Sequence, residues 1–292
     1  MRELAPTLVL CLVLLSGAPL AAQPVASVEA IREGARHARL VLLGEVHDNS
    51  EQHALRLAVL KQMIDAGQRP AIAFEQFDQD RQADLDRARR ERPGDVDFLM
   101  ARAGGRSSWR WEFYRPYVEL ALAHDLPIVA ANLSRTAALQ VARHGWGAIF
   151  SADERRALGL ERLPAAFLAA HAREIDEGHC GRLAQAEVEA LARAQIARDI
   201  VLARSIQPYA ERGVVLLAGN GHVRKDIGMP TWLTSAEREQ SVSLGLIESA
   251  ARLAPGEAEK RFDRAWLTST AQRADPCADL RQPRATTKLP SS

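Results

Sequence analysis

Four short apolar runs along the chain are each followed at once by a cluster of polar residues. The runs cover residues 40–43, 71–74, 128–131 and 214–218. Apolar runs of this length are typical of strands in a parallel sheet that is covered on both faces. In such sheets, ligands bind beyond the carboxyl ends of the strands. The sequence therefore predicts a site at this edge, where the polar clusters contribute Glu45, His47, Glu75, Asn132, Arg135, Asn220 and His222.

Helical patterns separate the apolar runs, which predicts an α/β fold with a mostly parallel sheet flanked by helices. The alternation of Val242, Leu244 and Leu246 indicates a further strand, and residues 261–267 indicate a last one. The helical stretch between the third and fourth runs, at about residues 150–212, is too long for a simple crossover. We expect it to form an inserted helical subdomain that covers the carboxyl ends of the strands.

The chain has 292 residues and a formal net charge of +1, so its charge balance predicts no nucleic-acid partner. Arg2 precedes an apolar core at residues 8–15, followed by small residues up to Ala22. This pattern predicts a signal peptide over residues 1–22, cleaved after Ala22. The apolar core is shorter than the roughly 20 residues that span a bilayer. We therefore expect a periplasmic or secreted protein without stable membrane insertion.

The rest of the chain is expected to form a single α/β domain over residues 23–270, followed by a polar tail over residues 271–292. After signal removal, Cys180 and Cys277 are the only cysteines. Two cysteines in an oxidising compartment are commonly paired. We therefore predict a disulfide between them that ties the tail to the helical middle of the chain. Two buried free thiols are the alternative.

The first and last polar clusters carry the strongest candidates for chemistry. Glu45 and His47 are two residues apart, so an extended backbone places both on one face. Such a pair can act as a general base with its orienting partner, or as two metal ligands. His222 can reach His47 if their strands are neighbours. His47, His222 and either Glu45 or Glu75 would then hold a divalent metal, whereas a buried salt-linked pair of Glu45 and His47 is the structural alternative.

Three further residues are candidates for ligand recognition. Asn220 lies between two glycines, which permit positive φ angles and a close approach of the backbone to a ligand. Arg135 can hold a carboxylate in bidentate fashion, and Asn132 can recognise an anion or a carbonyl group. The structural alternatives are an ion pair of Arg135 with Glu45 or Glu75 and a turn role for Asn132.

Residues 109–117 concentrate five aromatic side chains, interleaved with Arg110 and Arg115. One interpretation is core packing at the start of a helix. The other is a flat apolar wall with basic residues at its rim, which suits a small planar anionic ligand. Tyr114 or Tyr117 could then ligate iron.

Several motifs together resemble the ChaN family of haem-binding proteins tied to iron uptake. They lie in order along the chain at residues 44–49, 74–77, 111–116, 131–133, 194–199 and 219–230. The family belongs to a superfamily that includes the Tiki metalloproteases and the erythromycin esterases. The resemblance implies an α/β core with a helical insertion and a role in haem or iron handling outside the cytoplasm.

The sequence supports two hypotheses for the function, one of a binding protein and one of an enzyme, and does not decide between them. The first is an exported haem-binding protein, with haem held by one chain or at the interface of a homodimer. The second is a metal-dependent hydrolase of the peptidase or esterase type. In the hydrolase, Glu45, His47 and His222 would be catalytic residues or metal ligands, and Arg135 would clamp the substrate.

Overall fold

The centre of the molecule is a six-stranded sheet in which every strand pairs in parallel with its neighbours. A computed structural model of the chain describes residues 24–104, 109–251, 253–275 and 277–278. The spatial order of the strands is β3-β2-β4-β1-β5-β6. The strands are β1 (Leu40–Leu43), β2 (Ala71–Asp78), β3 (Ile128–Asn132), β4 (Val214–Leu217), β5 (Ser241–Glu248) and β6 (Arg264–Thr268). The expected signal peptide and the last residues of the polar tail lie outside the described residues.

Twelve α-helices surround the sheet within the part of the chain that the structure describes. They are α1 (Val28–Ala35), α2 (Ser50–Asp65), α3 (Gln82–Glu91), α4 (Val96–Ala103), α5 (Trp111–Ala123), α6 (Arg135–His144), α7 (Ala152–Ala157), α8 (Ala165–Gly178), α9 (Gln185–Ile206), α10 (Asn220–Val223), α11 (Ser235–Glu239) and α12 (Glu257–Arg261). Short 3-10 turns cover Gln79–Arg81, Trp146–Ala148, Leu160–Arg162, Gln207–Tyr209 and Met229–Trp232. No described helix is long and apolar enough to cross a membrane.

The predicted strands are confirmed, and their burial explains why they are continuously apolar. Successive side chains of a strand point to opposite faces of the sheet. In β1, Val41 and Leu43 join one buried cluster, and Leu40 and Leu42 join another on the opposite face. Both faces therefore exclude water, which requires apolar residues at consecutive positions. β2 is longer than its apolar run because Glu75, Gln76 and Phe77 remain buried in the strand.

The helical stretch between β3 and β4 has two parts. The last turns of α9 pack on the sheet through Leu202, Ala203 and Ile206. The earlier part of α9 packs against α6 and α8 and shares a separate apolar cluster with them that includes Ile196 and Phe150. Helices α6, α8 and α9 thus stand beyond the carboxyl ends of the strands, where a covering insertion was expected.

A disulfide joins Cys180, two residues after α8, to Cys277 near the end of the described chain. The pairing is the one the sequence predicts. The preceding residues are held by polar contacts, because Arg273 donates hydrogen bonds to both carboxylate oxygens of Glu248 and to Asp48. The first residues of the expected polar tail are therefore bound to the body of the protein.

Candidate functional site

His47 is positioned by a buried carboxylate directly beneath it. Its Nδ1 lies 2.9 Å from Oε1 of Glu45, the residue that follows β1 and Gly44. Glu45 also accepts a hydrogen bond of 2.5 Å from the Tyr114 hydroxyl and pairs with the fully buried guanidinium of Arg56. These contacts fix the carboxylate and, through it, the imidazole ring. Nε2 of His47 is then the nitrogen that can act as a base or bind a metal.

Gly219 allows the exit of β4 to approach His47 closely. A Cβ atom at this position would lie 2.9 Å from both Cε1 and Nε2 of the His47 ring. The Gly219 amide donates a hydrogen bond of 2.8 Å to Oε2 of Glu75. Its φ is −62°, so of the two properties that a glycine permits, close approach is the one used here.

His222 lies between two carboxylates, and its surroundings favour the charged imidazolium. Nδ1 is 2.7 Å from Oδ1 of Asp199, and Nε2 is 3.4 Å from Oε1 of Glu75. Burial opposes the charge, but Glu75 and Asp199 together raise the pKa of His222 to about 10. Burial likewise opposes ionisation of Glu75, but the nearby histidines hold its pKa well below its usual range. Burial raises the pKa of Asp199 to about 6.

The two histidines converge on one carboxylate oxygen. Oε1 of Glu75 is 4.0 Å from Nε2 of His47 and 3.4 Å from Nε2 of His222. The strand order explains this meeting, since β4 lies between β1 and β2 and the three strands end side by side. A histidine oriented by Glu45 and a protonated histidine held by Asp199 therefore face a shared carboxylate.

A cavity of about 630 Å³ opens above these side chains. This volume is ordinary for a small-molecule site. Its floor includes Glu45, His47, Glu75 and His222, and its opposite side is formed by α6, α8 and α9. The side chains on that side are the apolar Ala138, Leu139, Ile175, Leu191 and Ala194, and the polar Arg135, His179, Gln195 and Arg198. The cavity thus combines a polar floor, an apolar wall and two guanidinium groups.

The proposed metal ligands do not form a recognisable metal cage. Among the described residues, no group of three or more His, Cys, Asp or Glu side chains is arranged to hold a metal ion. Both ring nitrogens of His222 already face carboxylates, because Nδ1 is 2.7 Å from Asp199 and Nε2 is 3.4 Å from Glu75.

The structure corrects the interpretation of Tyr114 and Tyr117 as iron ligands. Both side chains are fully buried, because the start of α5 packs against α2. The Tyr114 hydroxyl donates to Glu45, and the Tyr117 hydroxyl donates to the backbone oxygen of His53 at 2.7 Å. Burial raises the pKa of Tyr117 to about 12 and that of Tyr114 still further. Neither phenol is thus placed to meet a ligand in the cavity.

Arg110 and Arg115 lie outside the cavity as well. Arg110 is bonded to Glu112 at 3.0 Å, and its guanidinium stacks over Phe113. Arg115 pairs with Asp97 and Glu119 on the exposed side of α5. The expected planar wall with a basic rim is therefore wrong for these two residues. In the same segment, the Trp109 ring packs edge-on against His47, with ring centroids 4.9 Å apart.

The remaining candidates have separate positions. Arg135 is exposed and lines the cavity. Asn220 also lines it, although its side chain is held by the backbone of Leu246. Asn132 is fully buried and accepts a hydrogen bond of 3.1 Å from Arg198, so it positions a cavity residue and has no direct contact with the cavity.

Several residues of the site have no role that the sequence predicts. Gln195, Arg198 and Asp199 were recognised only as part of a family motif. Their spacing of three and four residues places them on one face of a helix, and that signal could have identified them. Arg56 gave no such signal, because a buried arginine in α2 cannot be distinguished from a surface one by pattern.

The fold and the site are those of a parallel α/β protein that carries acid–base side chains at the strand ends, beneath a helical cover. A family model described as haem-binding uptake, Tiki superfamily, ChaN matches residues 31–233. The chain therefore belongs to the ChaN family of haem-binding uptake proteins. A search of the curated proteins finds no match.

One solved structure supports the same fold, and a second is a weaker match. One similar structure is described as cofacial heme binding to ChaN of Campylobacter jejuni, with 19% identity, coverage of 82% of this chain and 91% of that chain, and a TM-score of 0.65. An erythromycin esterase mutant, EreC, in its open conformation matches with 17% identity, coverage of 75% and 72%, and a TM-score of 0.43. At these identities the likeness extends to the fold alone.

Proposed function

We propose that this protein binds haem in the cavity at the strand ends and handles it outside the cytoplasm. The observation that carries the proposal is the cavity itself, in which an imidazole, an apolar wall and guanidinium groups face one space. Haem is a planar apolar ring with an iron that takes axial ligands and two propionates, and histidine is a common axial ligand. Family membership supports the same ligand class.

The residues present fit such a ligand in three ways. Nε2 of His47 would bind the iron, because Glu45 already engages Nδ1. Leu139, Ile175 and Leu191 would contact the apolar ring. Arg135 and Arg198 would pair with the propionates, since arginine binds carboxylates well. When bound, haem supplies the iron, and the protein supplies orientation and exclusion of water.

A haemin titration followed by size-exclusion chromatography tests this proposal. We expect a shifted Soret band and haem that elutes with the protein. One haem per monomer would support a cavity within one chain. Haem that elutes with a dimer would support binding between two copies. An unchanged Soret band with no retained haem would contradict the proposal.

The export proposal has separate support. It rests on the signal pattern at residues 1–22 and on the Cys180–Cys277 disulfide, since disulfides persist in oxidising compartments. Expressed from its full sequence in a bacterial host, the protein is expected in the periplasmic fraction with Gln23 as its first residue. Recovery from the cytosol with residues 1–22 still attached would contradict export.

A hydrolase is the second candidate, favoured by the contrast between the two histidines. His47, oriented by Glu45, is suited to be a general base, and the protonated His222 is suited to be a general acid. If the site hydrolyses p-nitrophenyl esters, His47→Gln should lower the rate by about 10²–10⁴. Addition and chelation of divalent metals would show whether activity needs a metal. Wild-type protein without turnover above the uncatalysed rate would reject this candidate.

A further inference from the structure

The segment after β6 connects two sides of the cavity. We call residues 269–275 together with Cys277 the C-terminal strap. On one side, Nε of Arg273 donates a hydrogen bond of 2.8 Å to Oδ2 of Asp48, the neighbour of His47. On the other side, Cys277 is bonded to Cys180, the neighbour of His179. Because His47 and His179 both line the cavity, the strap ties its floor to its helical wall.

The first anchor is a dense set of polar contacts. The Arg273 guanidinium also donates to both oxygens of Glu248, at 2.9 Å and 2.5 Å. Asn49, at the end of the loop that carries His47, donates 2.9 Å and 2.8 Å hydrogen bonds to Glu248 and to the Ser269 carbonyl. Charge-assisted and bidentate bonds of this kind are stronger than neutral ones. This end of the strap is therefore fixed independently of the disulfide.

The second anchor holds a helix that is mostly exposed. Of the fourteen residues of α8, only His171 is buried. Besides its packing on α9, α8 is held by the ion pairs of Glu174 with Arg224 and Arg261 and by a hydrogen bond between His171 and the backbone of Ile227. Ile175 and His179, which line the cavity, lie between these ion pairs and the disulfide. Segments with few buried apolar contacts open at low free energy, so the disulfide has a large share in holding this wall.

The disulfide is accessible to a reductant. Both cysteines are partly exposed, so a thiol in solution can reach them. Cys180 forms the left-handed cap that ends α8, with φ +61°, and the Gly181 and Cys180 amides donate to the carbonyls of Asp176 and Glu177. The disulfide is therefore attached directly to the end of the helix that carries part of the cavity wall.

We propose that the Cys180–Cys277 disulfide is a redox-controlled clasp on the cavity, and that its reduction speeds the exchange of the bound planar ligand. This inference rests on the proposed haem-binding function. The reductant is a dithiol. Its thiolate attacks one cysteine sulfur, the protein S–S bond breaks, and a mixed disulfide forms. Its second thiol then displaces the remaining protein sulfur. The reductant ends as a disulfide, and Cys180 and Cys277 take up its two electrons and two protons and become thiols.

The test compares two forms of the haem-loaded full chain. In the intact form the disulfide is left in place. In the opened form the disulfide is reduced, the thiols are alkylated with iodoacetamide and the reductant is removed. Release is followed as the transfer of haem to excess apomyoglobin. We expect release about tenfold faster from the opened protein, because ligand affinity is changed mainly through the dissociation rate. Hydrogen exchange gives a readout without ligand: α8 amides should exchange about tenfold faster, with β4 amides unchanged. Circular dichroism verifies that the opened protein remains folded.

Two variants distinguish the effect of weakening the clasp from the effect of losing a positive charge elsewhere. Arg273→Gln keeps the disulfide but weakens the first anchor, and it should accelerate transfer by about threefold. Arg156→Gln removes a similarly ion-paired arginine from α7 and should leave transfer unchanged. Equal transfer rates from the intact and opened proteins would overturn the clasp while leaving haem binding in place. If neither form retains haem, the proposed function fails and this inference fails with it.

Discussion

Gly219 is the residue at which one added carbon would disturb the site most directly. Its missing Cβ leaves room for the His47 ring, which lies 2.9 Å from where that atom would be. The contact includes ring atoms and not a flexible chain end, so Gly219→Ala must displace the imidazole. We expect haemin affinity to fall by about tenfold, an effect of about 1.4 kcal/mol, measured by Soret titration.

Gly178→Ala is the matched control for that prediction. This glycine ends α8, and nothing lies within 4 Å of its missing Cβ. The control should bind haemin like the wild type and unfold at the same denaturant concentration or slightly above it, because alanine favours a helix more than glycine does. Unaltered haemin affinity in Gly219→Ala would mean that the position of His47 does not matter for binding.

The charge on His222 predicts how stability depends on pH. Its pKa is raised from 6.5 to about 10 in the folded protein. The stabilisation is therefore fully present below pH 6.5 and is lost as the pH rises through 10. The free energy of unfolding should fall between these values by up to about 1.4 kcal/mol per pH unit. Urea unfolding at pH 7, 8 and 9 measures this slope.

A variant separates His222 from other groups that titrate in this range. His222→Gln should be less stable at pH 7 and nearly flat from pH 7 to 9, because it lacks the proton in question. His124→Gln, at an exposed position at the end of α5, should keep the wild-type slope. A flat profile for the wild type would contradict a protonated His222 between Asp199 and Glu75.

At the scale of elements, the start of α2 depends on one side chain with several roles. Asn49 caps the helix by accepting the Gln52 amide at 3.1 Å, and it also donates to Glu248 and to Ser269. Asn49→Ala removes the cap and the two hydrogen bonds that tie the start of α2 to Glu248 and to the Ser269 carbonyl. We expect a loss of about 2 kcal/mol in the free energy of unfolding by urea. Ser50→Ala, at the exposed first helical position, should change it by less than about 0.5 kcal/mol.

Strands β1 to β4 could be predicted because burial on both faces requires short continuous apolar runs. The direction of the tyrosines in α5 could not be predicted in the same way. A helix with aromatic residues on several sides can turn any of them toward the core, and packing against α2 decides which.

At the scale of the whole molecule, the site depends on a strand order that the sequence does not state. The polar clusters after β1, β2 and β4 were predictable, but their meeting at Glu75 requires β4 to lie between the other two. Asp199 and Arg56 enter the site from helices and are ion partners whose roles follow from three-dimensional contacts. The sequence therefore identified the edge and the two histidines, and the fold supplied their charge partners.

Haem binding in the cavity depends above all on His47, which presents its imidazole to the ligand. Haemin is titrated into the wild type, His47→Gln and His124→Gln, with the Soret spectrum and the dissociation constant measured for each. We predict that His47→Gln weakens binding by about tenfold or more and changes the Soret position. His124→Gln should match the wild type in both. Wild-type affinity and spectrum in His47→Gln would contradict binding of the ligand by His47.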